Sequence, residues 1–414
     1  MTPGSGTRPR FEVADILQAH AEDYRQLHQP SPAQQKVMRH IADCRTAALG
    51  GHLEECDSCG HRRISFNSCR DRHCPKCQST AREAWIEAQL TKLLPVSYFH
   101  VVFTLPEQLN ALALANQKIL FDILFATAAS TLREIAADPQ HLGADIGFTA
   151  VLHTWGQNLL FHPHLHCVVT GGGLSADGEH WVGTRTSFFL PVKALSKLFR
   201  GKFLDALKKA YLAGQLRLGG STAQLAEQKP WRTFLDGLYK KDWVVYAKPP
   251  FAGPEHVFRY LGRYTHRVAI SNHCLVDFHD GRVSFTIKNY AQPGQRTVMH
   301  LDAVEFLRRF LLHVLPKGYT RIRHFGLCAG RNLHTKLEAA RRLLTTLHHR
   351  YVLPISRSAN KDNRPWWKRF LDRTGIDLLA CTHCTSGRLI RRGQIEPVYS
   401  VPPTRVAAVF VNSS

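Results

Sequence analysis

The stretch His162-Pro-His-Leu-His-Cys-Val-Val-Thr170 is the most informative part of this chain. Residues two apart in a β-strand point to the same face, so His164 and His166 can bind one metal ion while Leu165 faces a core. A His-x-His pair alone is a weak motif, because the chain contains 24 histidines and most histidines are surface or core residues. The pair therefore indicates a metal site only in combination with other features of the sequence.

A third metal ligand is expected close to this pair. A catalytic Mg²⁺ or Mn²⁺ held by two imidazoles needs oxygen ligands and open coordination positions if it is to meet a phosphate. Gln157 lies just upstream, in His153-Thr-Trp-Gly-Gln157, and a hairpin would return it to the two histidines. We therefore predict Gln157 as the third ligand. His153 and His162 are the alternatives, and for either of them a structural hydrogen bond is an equally good explanation.

A second stretch, Tyr260-Leu-Gly-Arg-Tyr-Thr-His-Arg267, carries candidate nucleophiles. On a helix predicted over 255–267, Tyr260 and Tyr264 share a face, so both phenols can reach one site. Such tyrosines are usually half-buried helix residues, and only the His-x-His strand makes them candidates for catalysis. Two arginines of the same helix form an adjacent cationic row and are predicted to contact DNA: Arg263 and Arg267.

The chemistry of a phenol explains why tyrosines and a metal strand belong together. A phenol has a pKa of about 10, so it is a poor nucleophile at neutral pH, and the charge of a phosphodiester repels it. A divalent ion neutralises the phosphate and stabilises the developing charge on the leaving 3′ oxygen. Tyrosine attack would leave a 5′-phosphotyrosine bond and a free 3′ hydroxyl, and a second tyrosine would permit two linked cleavages.

Cysteines near the N-terminus predict bound zinc. Cys56-Asp-Ser-Cys59 and Cys74-Pro-Lys-Cys77 are two Cys-x-x-Cys pairs separated by 14 residues, a spacing typical of two knuckles that close one tetrahedral site. Four protein ligands leave no open coordination position, so this zinc is expected to be structural. Four neighbouring residues are candidates for a second zinc, although the histidines can equally be surface residues: Cys44, His52, Cys69 and His73.

Other residues around the cysteines are open to more than one interpretation. Basic side chains between the ligands are candidate phosphate contacts, with a purely structural brace as the alternative. A late pair, Cys381-Thr-His-Cys384, resembles a single knuckle, for which Cys328 is either a distant partner or a core residue. The basic residues predicted to contact DNA are Arg70, Arg72 and Lys76.

The composition favours a polyanionic partner. Lys and Arg number 54 against 32 Asp and Glu, which gives a net charge of +22, and nucleic acid is the first candidate. The N-terminus has no apolar signal region and no stretch reaches about 18 uninterrupted apolar residues, so we expect a cytoplasmic protein without a membrane partner. In that compartment the 11 cysteines are better explained as metal ligands than as disulfides.

Hydrophobic periodicity interleaves strands and helices, which predicts a mixed α+β core. Strands are predicted over 98–105, 147–154, 165–170, 243–247, 268–276 and 283–287. Helices are predicted over 11–43 with a break at Pro30-Ser-Pro32, and over 81–94, 108–136, 193–211 and 255–267. Three glycines at 171–173 are expected to end the third strand. The predicted regions are a helical segment 1–43, a zinc-binding domain 44–94, a mixed domain 95–300 and a helical, basic C-terminal region 301–414.

Taken together, these motifs resemble the insertion sequence 91 family of rolling-circle transposases, over residues from about 39 to 331. The resemblance implies a His-hydrophobic-His (HUH) endonuclease core, in which helices flank a central antiparallel sheet. It also implies transposition through single-stranded DNA, with the strand histidines as metal ligands and the two tyrosines as nucleophiles. The motifs that carry it are Asn67–Cys77, Val102–Pro106, His153–Gln157 with His164–Gly173, Tyr260–Asn272 and Arg321–Gly326.

Other functions remain open at this point. A plasmid replication initiator or a conjugative relaxase would use the same strand and tyrosine chemistry, and a zinc-containing DNA-binding regulator would use the histidines structurally. The sequence has no Gly-x-x-x-x-Gly-Lys-Ser/Thr loop, so we expect a host helicase or replication to expose the strands. The expected partners are single-stranded element ends and target DNA, in association with the bacterial nucleoid, and the oligomeric state is not predicted.

Overall fold

The protein has a mixed α+β fold in a computed structural model, as the sequence predicts. The described residues are 9–77, 85–86, 88–90, 92–184, 189–248, 262, 269–289, 292, 294–348, 364–375, 377–384 and 386–398. The helices are α1 (Val13–Leu27), α2 (Pro32–Ala42), α3 (Asn110–Ala115), α4 (Gln117–Ala137), α5 (Val192–Leu212), α6 (Gln228–Lys240), α7 (Ala303–Leu311), α8 (Lys336–His348) and α9 (Trp366–Thr374). The strands are β1 (Gly51–Cys56), β2 (Arg62–Phe66), β3 (Tyr98–Thr104), β4 (Asp145–Trp155), β5 (Phe161–Leu174), β6 (Trp181–Gly183), β7 (Val245–Lys248), β8 (Leu275–His279), β9 (Arg282–Lys288), β10 (Arg296–Asp302), β11 (Ile322–Gly326) and β12 (Leu389–Ile395).

At the break predicted at Pro30-Ser-Pro32, one helix has ended and a second helix, α2, begins. The Ser31 hydroxyl accepts a hydrogen bond from the Gln34 amide, and the Gln34 side chain accepts one from the Ser31 amide. This reciprocal pair satisfies two amides that a helix N-terminus leaves without partners, and Pro32 supplies a helical φ at the first position. Helices α1 and α2 pack together in a second core with α7 and β9.

A central antiparallel sheet has the strand order β11-β4-β5-β3-β7, with β6 added beside β5. One face of β5 is apolar: Leu165, Cys167 and Val169 are fully buried among side chains of α4 and α5. The alternate residues of β5, among them His164 and His166, lie on the opposite face. The predicted alternation of the His-x-His strand therefore separates a core face from a histidine face.

Strand β5 continues through the three glycines that were predicted to end it. A Cβ atom at Gly173 would lie 2.4 Å from the Asp145 carbonyl oxygen, and one at Gly171 would lie 2.5 Å from the Ser97 hydroxyl. These distances leave no room for side chains, so glycine permits the neighbouring backbones to approach. Residues 171–173 therefore form the closely packed end of β5, although three consecutive glycines are more typical of a turn.

The C-terminal region predicted to be helical also supplies strands to two sheets. Strand β11 pairs with β4 in the central sheet, and β12 pairs with β1 beside the N-terminal cysteines. Strand β10, which was not predicted, completes a third sheet of order β10-β9-β8. Short strands show little hydrophobic periodicity in the sequence, because whether such a segment forms a strand depends mainly on the strands it pairs with. Within the described part of the chain, no helix combines the length and hydropathy of a membrane span.

Candidate metal and DNA-processing site

Three histidines converge on the histidine face of the central sheet. His153 in β4 pairs with His164 in β5, and side chains directly opposite in antiparallel strands lie on the same face. His166 lies two residues further along β5. One ring nitrogen of each of the three lies within 4.8 Å of the others, and the Nε2 atoms of His164 and His166 are 3.0 Å apart. The hairpin thus assembles a set of three imidazoles.

Hydrogen bonds orient two of these rings. Nδ1 of His164 lies 2.7 Å from the carbonyl oxygen of His162. A carbonyl oxygen can only accept, so the neutral ring carries its proton on Nδ1 and has its lone pair on Nε2. Nδ1 of His166 lies 2.7 Å from Nε2 of His100, a buried residue of β3. Metal-binding histidines commonly use the second nitrogen in this way, which fixes the tautomer and the ring orientation.

The environment keeps these imidazoles neutral. Burial lowers the pKa of His164 to about 4, and burial followed by the neighbouring histidines holds the pKa of His166 well below its usual value. Burial also lowers the pKa of His100 to about 4, with Lys248 acting in the same direction. Neutral rings have free lone pairs at pH 7. A donor set of imidazole nitrogens fits a divalent transition-metal ion better than Mg²⁺, which prefers oxygen.

Gln157, the predicted third ligand, has a different partner in the structure. Its side chain is exposed, and its Oε1 accepts a hydrogen bond from the Lys288 amide. Residue His153, the alternative that sequence reasoning left open, occupies the third position instead. The turn between β4 and β5 directs Gln157 away, whereas the strand register places His153 opposite His164.

The predicted tyrosine helix lies outside the described residues. Only Gly262 of residues 255–267 is described, so the structure does not place Tyr260, Tyr264, Arg263 or Arg267. The two tyrosines remain predictions from the sequence. The two arginines likewise remain predicted DNA contacts.

The cysteines form two groups of four thiols that differ from the predicted sets. Cys44, Cys69, Cys74 and Cys77 form the first group, and Cys56, Cys59, Cys381 and Cys384 form the second. Within each group the sulfur atoms lie within 4.8 Å of one another. The two Cys-x-x-Cys pairs of the N-terminal module thus belong to different groups. Cys328 lies beside Gly147 in the central sheet and joins neither.

The two histidines predicted as zinc ligands have other roles. The ring of His73 is buried, with Nδ1 2.9 Å from an Asp71 carboxylate oxygen and Nε2 accepting from the Leu315 amide. His52 lies within β1, opposite Ser65 and away from the knuckle that ends the strand. Two cysteines, Cys44 after α2 and Cys69 after β2, complete the first group instead.

Three of the five basic residues predicted to contact DNA lie among the N-terminal cysteines, and two of these three are part of the internal structure. The Arg72 guanidinium donates to the carbonyl oxygens of Tyr319 and Pro316. The Lys76 ammonium lies 2.6 Å from a Glu12 carboxylate oxygen, and the two side chains are 11% and 12% exposed. Arg70 is exposed and remains a candidate phosphate contact.

Several site residues were missed for one reason. His153 was ranked below Gln157, His100 was not considered, and the second cysteine group was not assembled. Residues His100, Val102 and Thr104 alternate on β3 opposite Val168, His166 and His164, which is visible only once the register is known. The cysteine count did contain a signal, because eight cysteines in and around three Cys-x-x-Cys pairs suffice for two four-thiolate sites.

Comparison with known proteins identifies the family. A family model described as "Transposase zinc-binding domain" matches residues 16–105, and one described as "Putative transposase" matches residues 147–336. "Putative transposase y4qJ" of Sinorhizobium fredii is 53% identical over 380 residues, 92% of this chain and 94% of that protein. "Transposase for insertion sequence element IS801" of Pseudomonas savastanoi pv. phaseolicola is 31% identical over 291 residues, 70% and 68% of the two chains. No solved structure matches. The chain belongs to the insertion sequence 91 family of transposases.

Proposed function

We propose that this transposase cleaves and rejoins single-stranded DNA by tyrosine attack at the three-histidine site. The observation that carries the proposal is the convergence of His153, His164 and His166 on one face of the sheet. Three imidazole ligands would leave a bound ion free to contact phosphate oxygens. A divalent ion held by these histidines would neutralise charge on the phosphate and on the leaving oxygen.

The tyrosines Tyr260 and Tyr264 supply the nucleophiles. The phenol loses its proton as its oxygen bonds to phosphorus, the bond from phosphorus to the 3′ oxygen breaks, and that oxygen takes up a proton. The DNA 5′ end is then linked to tyrosine, and the free 3′ hydroxyl of another strand can attack this bond to rejoin DNA. Because the phosphotyrosine keeps the energy of the broken phosphodiester bond, the cleavage and rejoining steps themselves need no external energy source.

A strand edge next to the histidines offers a path for DNA. Tyr246 on β7 lies opposite Val102, which itself lies opposite His166, so all three share the histidine face. The Tyr246 side chain is 49% exposed, and the Lys248 ammonium lies 5.9 Å from its ring centroid. An exposed aromatic ring and an adjacent cation suit a base and a phosphate of single-stranded DNA.

The double variant Tyr260→Phe with Tyr264→Phe tests the proposal. We expect the wild-type protein, with Mn²⁺ and a labelled single strand from an element end, to give a covalent protein–DNA adduct on a denaturing gel. The double variant should give none, while its DNA affinity stays within about twofold because basic phosphate contacts remain. Full adduct formation by the variant would exclude the tyrosines as nucleophiles.

A second variant tests the metal site. His164→Ala should abolish the adduct at the same Mn²⁺ concentration, and His162→Ala is the matched control because its side chain is exposed and lies outside the cluster. Mass mapping of the DNA-linked peptide then identifies the attacking residue. Cleavage that yields no covalent adduct in the wild type would instead indicate direct hydrolysis.

We also expect that a host helicase or replication exposes the single DNA strands on which the transposase acts.

A further inference from the structure

The second cysteine group joins the two ends of the chain. Sγ of Cys56 lies 3.6 Å from Sγ of Cys384, and Sγ of Cys59 lies 3.8 Å from Sγ of Cys381. A disulfide needs about 2.05 Å between sulfurs, so these distances are far too long for one. Four thiolates at about 2.3 Å from a tetrahedral Zn²⁺ lie about 3.8 Å apart. The spacing therefore matches a shared metal ion.

Backbone amides also point at the sulfur atoms. The amides of Ser58 and Cys59 lie 3.4 Å and 3.5 Å from Sγ of Cys56. In the late pair, the His383 amide lies 3.4 Å from Sγ of Cys381, and the Gly387 amide lies 3.3 Å from Sγ of Cys384. Hydrogen bonds to an ionised acceptor are stronger than neutral ones, so this arrangement favours thiolates. Both pairs thus have the local geometry of zinc knuckles.

Strand pairing holds the two knuckles at the same end of one sheet. The first knuckle follows β1 and the second precedes β12, and these strands pair with Cys56 opposite Leu389. Further hydrogen bonds link the knuckles directly: the Asp57 amide donates to the Arg388 carbonyl oxygen, and the Asp57 carboxylate accepts from the Arg388 amide. The rings of His61 and His383 stack at 5.3 Å. The thiols therefore meet through an extensive interface.

We propose that Cys56, Cys59, Cys381 and Cys384 bind a second structural zinc ion that clasps the C-terminal segment to the N-terminal zinc-binding module. The first four-cysteine group lies wholly within residues 44–77. The second needs residues near the other end of the chain. The second zinc site is therefore complete only when residues 381–384 are paired with the N-terminal module.

Zinc content measured by mass spectrometry on the purified chain tests this proposal. Every protein in the series carries His153→Ala and His164→Ala, so that zinc bound by the three histidines is not counted, and the protein with all its cysteines is the wild type of the series. The wild type should contain two zinc ions per chain, and Cys381→Ser with Cys384→Ser should contain one. Combining these with Cys56→Ser and Cys59→Ser should remove no further zinc, because all four residues serve one ion. The matched control Cys274→Ser with Cys328→Ser should retain two, since neither cysteine belongs to a group.

A conservative substitution distinguishes loss of a zinc ligand from loss of folding. Cys384→His keeps a zinc-binding side chain and should retain two zinc ions, whereas Cys384→Ala should retain one. Limited proteolysis should release a C-terminal fragment from the one-zinc variants and not from the wild type. One zinc ion in the wild type, or two in the Cys381→Ser with Cys384→Ser variant, would overturn the proposal. No step of the test depends on DNA cleavage, so the outcome is independent of the tyrosine mechanism.

Discussion

His100 shows how much a single residue outside the metal set can contribute. It lies in β3, is buried, and its Nε2 faces Nδ1 of His166. When both rings are neutral, one proton lies between Nδ1 of His166 and Nε2 of His100. If His166 carries this proton on Nδ1, its Nε2 keeps a lone pair that can bind a metal ion. His100 is therefore a positioning residue for His166 within the proposed metal site. Its role resembles that of the hydrogen-bond partners that surround most protein metal ligands.

Removing this partner should weaken metal binding without removing a ligand. We expect His100→Ala to reduce Mn²⁺ affinity by about 10- to 100-fold, the range typical of lost partners of metal ligands. Isothermal titration calorimetry with Mn²⁺ measures the effect directly. His100→Gln should recover part of the affinity because its amide can still accept the hydrogen bond, and His324→Ala on β11 is the control. Unchanged affinity in His100→Ala would contradict the positioning role.

At the scale of elements, the β4–β5 hairpin and the edge strand β7 build the site together. The hairpin register brings His153 opposite His164, and β3 lies between the histidines and β7. A residue outside the hairpin stabilises its turn: Nε2 of His313 forms a hydrogen bond with the Leu159 carbonyl oxygen. One face of the sheet thus carries both the three histidines and the exposed Tyr246.

The edge strand makes a prediction about DNA binding. Stacking of a base on an aromatic ring contributes about 1–3 kcal/mol, so Tyr246→Ala should weaken binding of a short single-stranded oligonucleotide by about 5- to 150-fold. Fluorescence anisotropy at constant salt measures this. Tyr239→Ala is the matched control, because Tyr239 is 60% exposed and stacks with Arg200 on another element. Equal affinities for the two variants would place the DNA path elsewhere.

At the scale of the whole molecule, charge dominates. The net charge of +22 favours association with any nucleic acid strand, and the internal pairs of Arg72 and Lys76 remove only a small part of it from the surface. Phosphate contacts release counterions, so the affinity should fall steeply with salt.

We therefore expect the same salt dependence for the Tyr260→Phe with Tyr264→Phe variant, because its basic residues are unchanged. For six or more phosphate contacts to single-stranded DNA, affinity should decrease by roughly 300-fold or more between 50 and 200 mM salt. Anisotropy titrations across this range provide the slope, and sucrose at matched osmolality controls for solvent effects. An affinity that stays flat over the range would show that the positive charge does not lie along the DNA path.

Much of the fold and part of the site could be predicted from the sequence. The alternation in β5 predicted a core face and a histidine face, and both cysteine knuckles in the N-terminal module were visible in their local spacing. These predictions depend on side chains within one element, whose geometry follows from the periodicity of a strand or a knuckle. For the same reason the helix start at Ser31 was visible as a break.

The tertiary structure alone decided which local motifs meet. The cysteine pairs at Cys56 and Cys74 were predicted to share one ion, but pairing of β12 with β1 brings Cys381 to the first of them. Likewise, strand register selected His153 over Gln157 as the third member of the histidine set. Spacing along a chain constrains only near neighbours, whereas contacts across several hundred residues depend on the strand pairing and burial of the complete fold.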